Sequence, residues 1–95
     1  MALRKPLIAG NWKMFKTCPE AGETARQLVD LVGQTETLDI MIAPPFTALT
    51  TVSDIIADSP IGLGAQNLFW KAEGAYTGEI SAPMIASAGC RYVII

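Results

Sequence analysis

The sequence predicts an α/β fold with a parallel sheet, on three observations. Short apolar runs at Pro6 to Asn11, Leu38 to Ala43, Ile61 to Gln66 and Arg91 to Ile95 lack clean polar alternation, as strands buried on both faces do. Helical spacing or a long loop separates them, so the order reads β-α-β-α-β-loop-α-β. The runs start about every 28 residues, close to one eighth of the roughly 250 residues of a (β/α)8 barrel. The chain would hold about half of such a barrel, the incomplete series β1-α1-β2-α2-β3-α3-β4.

Each element has its own signals. After the first run, Ala21, Ala25, Leu28 and Val32 fall on one helical face; Pro19 suits the first turn, Glu20 and Glu23 lie near the positive helix end, and Gly33 is the stop. Pro44-Pro45 closes the second strand. Ala48, Leu49, Val52, Ile55 and Ile56 then mark a second helix ending near Asp58-Ser59-Pro60. A shorter third helix is expected with Ser81 as its cap, Pro83 in its first turn, Met84, Ile85 and Ala88 along it, and Gly89 after it. The last strand ends the sequence without the loop that would carry a residue to a site, so the chain reads as cut. Residues 1–95 are read as the N-terminal portion of a single domain.

Composition excludes several classes. The chain is 51% hydrophobic and 17% charged, below the usual charged share of about 25%. It carries more apolar surface than so short a chain readily hides, which suits part of a larger core. With seven scattered Lys and Arg residues and a net charge of −2 there is no basic patch, so nucleic acid is not an expected partner. No run is long enough for a signal-peptide core or a membrane span. Cys18 and Cys90 are far apart, there is no histidine, and so the usual zinc spacings are absent and no metal is expected. These features read as a reduced, cytoplasmic protein. Gly62-Leu63-Gly64 lies within a strand, and no glycine-rich dinucleotide or phosphate loop is present.

Chemistry is expected where the first strand ends, at Asn11 and Lys13, because strand ends aim the loops that follow them. A lysine there can neutralise a phosphate or a developing oxyanion, and an asparagine beside it can donate to the same oxygen. Trp12, between them, is expected to face the other way and pack. None of the nine acidic residues is placed to face Lys13. Asn67 to Ile80 is long for an α/β connection, and its Phe69, Trp70 and Tyr76 argue against disorder.

The block Ala9-Gly10-Asn11-Trp12-Lys13-Met14 resembles the opening signature of the triosephosphate isomerase family. The resemblance continues through Ala43-Pro44-Pro45-Phe46, Gly64-Ala65-Gln66-Asn67 and Gly74-Ala75-Tyr76-Thr77-Gly78-Glu79-Ile80-Ser81, in order along the whole chain. It implies a TIM barrel and, for the parent enzyme, interconversion of dihydroxyacetone phosphate and glyceraldehyde 3-phosphate through an enediolate, without cofactor or metal. It implies that Asn11 and Lys13 bind substrate, Lys13 supplying charge to phosphate and enediolate. It also implies a homo-oligomer: Thr77 completes a second subunit's site and Met14 lies in that contact. Glu79 would order its loop by pairing with an arginine from a later segment. The family's histidine electrophile and glutamate base have no counterpart here, so the isolated chain is expected to be inactive. Against this stand two alternatives, a non-enzymatic half-barrel that self-associates through its open sheet edges and a free phosphate-binding module resting on Lys13.

Overall fold

A computed structural model describes residues 4–95. Its strands are β1 (Leu7–Asn11), β2 (Asp39–Ala43), β3 (Ile61–Ala65) and β4 (Tyr92–Val93). Its α-helices are α1 (Cys18–Val32), α2 (Leu49–Ile56) and α3 (Ala82–Ser87), with one 3-10 turn at Phe46–Ala48 leading into α2. All neighbouring strands are parallel, in the spatial order β1-β2-β3-β4. Chain order and sheet order therefore coincide, as in half of a (β/α)8 barrel.

The helix signals act as the sequence indicates. The Thr17 N–H and hydroxyl both donate to Glu20 Oε1, each at 2.9 Å, which ties the start of α1. Those bonds hold the Glu20 carboxyl below its ordinary range, the backbone donor contributing most; the hydroxyl and Lys16 add to it, while slight desolvation opposes it. Gly33 ends α1 at φ 60°, its N–H bonding to the Val29 carbonyl at 3.2 Å. Ser81 caps α3, its hydroxyl accepting from the Met84 N–H.

Alternation sorts the sheet into two faces. On the helix side, Ile42, Ile61, Leu63 and Ala65 join Ala21 and Ala25 of α1, Leu49, Val52 and Ile56 of α2, and Ile85 of α3 in one buried cluster. Burying a side chain such as Leu63 contributes about 1.5–3 kcal/mol. The other face carries Met41, Gly62, Gly64 and Tyr92. A Cβ on Gly64 would lie 2.7 Å from Met41 Sδ, and one on Gly62 2.8 Å from a Tyr92 ring carbon. The two glycines of β3 thus make room for large side chains from both neighbouring strands.

Two expectations need correction. The strands were to be buried on both faces, yet Leu7 is 48% and Ile8 58% exposed. β1 is an edge strand, and α1 packs chiefly on α2, where Gly22 lies close to Ile55, so a groove along Ile8, Gly10, Trp12 and Val32 stays open. The last strand is shorter than Arg91 to Ile95: Tyr92–Val93 form it, extended by Arg91 and Ile94 N–H bonds to the Leu63 and Ala65 carbonyls at 2.8 and 2.9 Å. Pairing stops there because β3 gives way to loop at Gln66. Among the described residues, no helix is long and apolar enough to cross a membrane.

Candidate functional site

The parallel sheet delivers β1, β2 and β3 to one rim, where Asn11, Ala43 and Gln66 stand at the ends of adjacent strands. Asn11 is the last residue of β1 and pairs with Ala43. The next N–H, of Trp12, bonds to the Ala43 carbonyl at 3.1 Å, and the Trp12 side chain packs against the helix-side cluster. Alternation then sets Asn11 on the opposite face, as the sequence indicates.

Beyond Trp12 the backbone bends sharply. Lys13 has φ 57° and Lys16 φ 80°, the two non-glycine residues among those described with positive φ. A left-handed conformation at such residues costs about 1–2 kcal/mol, so neighbouring groups must hold it. On one side of the Lys13 residue, its N–H donates to Asn11 Oδ1 at 2.9 Å. On the other, its carbonyl accepts from Gln66 Nε2 at 2.8 Å, and the same nitrogen reaches the Ala43 carbonyl, also at 2.8 Å.

This geometry fixes the chemistry available. Because the Asn11 oxygen is committed to a backbone donor, its NH2 group remains to donate to a ligand oxygen. The Lys13 side chain is exposed and pairs with no carboxylate among the described residues. An amide donor and an ammonium two residues apart on a braced rim can bind a phosphate or stabilise a developing oxyanion. Among the described residues no three His, Cys, Asp or Glu side chains come together as a metal site would require.

The family profile described as Triosephosphate isomerase matches residues 6–95. The chain belongs to the triosephosphate isomerase family. Triosephosphate isomerase of Chloroflexus aurantiacus is 55% identical over 93 residues, covering 98% of this chain and 37% of that relative. That of Geobacter metallireducens is 52% identical over the same coverage. The crystal structure of triosephosphate isomerase from Bartonella henselae superposes with a TM-score of 0.89 at 38% identity, covering 97% of this chain and 38% of that one. The chain therefore spans little more than a third of the length of these relatives, and its incomplete TIM barrel matches the corresponding part of the solved one.

The sequence-derived interface candidates lie apart within the chain. Met14 is 93% exposed and, with Pro45, Phe46, Thr47 and Gln66, lines an open groove of about 420 Å3 beside Lys13. Thr77 is exposed on the loop between β3 and α3. That loop is ordered from within: the Phe69 ring lies 4.4 Å from Tyr76 and 5.9 Å from Trp70, Lys71 Nζ sits 4.4 Å over Trp70, and the Phe69 N–H bonds to the Ile80 carbonyl at 2.7 Å. Glu79 bonds there through its N–H, to the Tyr76 carbonyl at 3.0 Å. Cys18 and Cys90 are unbridged and half-buried; the Cys18 thiol donates to the Thr47 carbonyl, and burial pushes the Cys90 thiol up. Sequence reasoning gave Gln66 no role. Its partners lie 53 and 23 residues away and are backbone carbonyls, which leave no trace in side-chain pattern.

Proposed function

We propose that this chain supplies the substrate-holding rim of a triosephosphate isomerase. Asn11 donates its amide hydrogen to a substrate oxygen, and Lys13 places positive charge by the phosphate and by the enediolate formed when a proton leaves one carbon for its neighbour. The observation that carries this reading is the braced, left-handed Lys13 beside Asn11 at the end of β1, in a chain of this family. Residues 1–95 form the N-terminal portion of one barrel domain, and the chain by itself does not turn over substrate. It has no histidine to polarise the carbonyl, and no carboxylate pairs with Lys13 among the described residues to suggest a base at the site.

The natural partner is a second copy. Met14, 93% exposed, lines the groove beside Lys13, and the self-ordered loop with Thr77 is the element that fits such a groove. Working in the cytoplasm agrees with the unbridged cysteines. A coupled assay decides the enzymatic point. The chain alone is expected to give no isomerisation of glyceraldehyde 3-phosphate above background. A chimaera in which residues 6–95 replace the matching segment of the Chloroflexus aurantiacus relative is expected to be active. Turnover by the chain alone, or an inactive but folded chimaera, overturns the reading.

A further inference from the structure

We propose that Gln66 is a positioning residue for Lys13. The proposal rests on the reading of Lys13 as the group that holds the triose phosphate, and extends it to a side chain that need not touch substrate. The left-handed backbone of Lys13 is gripped on both sides, its N–H by Asn11 and its carbonyl by Gln66. The Asn11 bond is local, two residues along the same strand end, and cannot by itself fix the loop relative to the sheet. Gln66 does that. One amide nitrogen spends its two hydrogens on the carbonyls of Lys13 and Ala43, both at 2.8 Å, so the ends of three adjacent strands are tied at a single atom. Both acceptors are carbonyls, which requires a side chain with two donors on one nitrogen. A carboxylate in the same place would face two oxygens with two oxygens.

The test uses the active chimaera and glycerol 3-phosphate as a non-reacting probe, with Gln66→Met, Lys13→Met and the double variant. If Gln66 acts through Lys13, Gln66→Met weakens probe binding by about threefold or more, within the range for a lost hydrogen bond. In the Lys13→Met background it then has less than about a threefold effect, since a residue acting only through Lys13 has nothing left to position. The crystal structure of Gln66→Met is expected to show Lys13 away from φ 57°. Lys13 retained in that conformation, or equal weakening in both backgrounds, overturns the proposal. Gln66→Glu above neutral pH keeps the shape, withdraws both donors, and gives the same readouts should the methionine variant not fold. The two readings fail differently: if Lys13→Met leaves probe affinity unchanged the substrate-holding role falls, while the backbone of Lys13 in Gln66→Met still decides the role of Gln66.

Discussion

The loops that follow β1 and β3 solve opposite problems. The first is short and strained, with two lysines in left-handed conformations, and it is held from outside by Asn11, Ala43 and Gln66 at the ends of three strands. The second is long and holds itself, through the contacts of Phe69 with Tyr76, Trp70 and the Ile80 carbonyl, while Trp70 and Tyr76 remain 76% and 43% exposed. Bracing by the sheet fixes the Asn11 side chain and the backbone of Lys13 at one rim. Self-packing instead gives the second loop a shape that rests on its own contacts.

Substitutions can separate the two. Leu63→Ala removes a fully buried side chain from the core that the sheet shares with its helices, so it is expected to destabilise the fold by about 2–5 kcal/mol and to lower the melting temperature without favouring either loop. Asn11→Ala strikes the first loop alone: it removes the proposed ligand donor and frees the Lys13 N–H, and turnover of the chimaera should fall about 10²-fold with melting little changed. Phe69→Ala strikes the second loop. Losing its ring contacts costs about 0.5–1.5 kcal/mol beyond burial, and limited proteolysis should cut within residues 67–80 while glycerol 3-phosphate affinity holds. Loss of that affinity would show that the two loops are not independent.

The smallest effect belongs to the far end of the first loop. Because Glu20 is held below its ordinary range in the folded chain, its contribution to stability is present above the unfolded carboxylate value and is lost as pH falls through the depressed folded value. Comparison of Glu20→Gln with the parent in acid melts should show a slightly flatter loss of stability for the variant, while the first loop's ligand affinity at neutral pH is retained.

Much of this was legible in the sequence, for reasons that differ by element. Pro19, Gly33 and Ser81 act within a few residues of themselves, so their patterns show α1 and α3 directly. The exposure of β1 was not legible, because an apolar strand reads the same whether or not neighbours cover it, and only the packing of α1 on α2 reveals the open face. At the site, Asn11 and Lys13 stand in one local block that carries the family resemblance. Gln66 stands in another, and the bonds joining the two run to backbone carbonyls across the sheet.

The most direct test of the central claim is the kinetics of Lys13→Met in the chimaera. The parent chimaera should isomerise glyceraldehyde 3-phosphate, and the variant should remain folded with turnover reduced by about 10²-fold or more, as removal of a group aimed at developing charge predicts. A folded Lys13→Met chimaera with turnover equal to that of its parent would contradict the assignment of this rim as the place where the substrate is held.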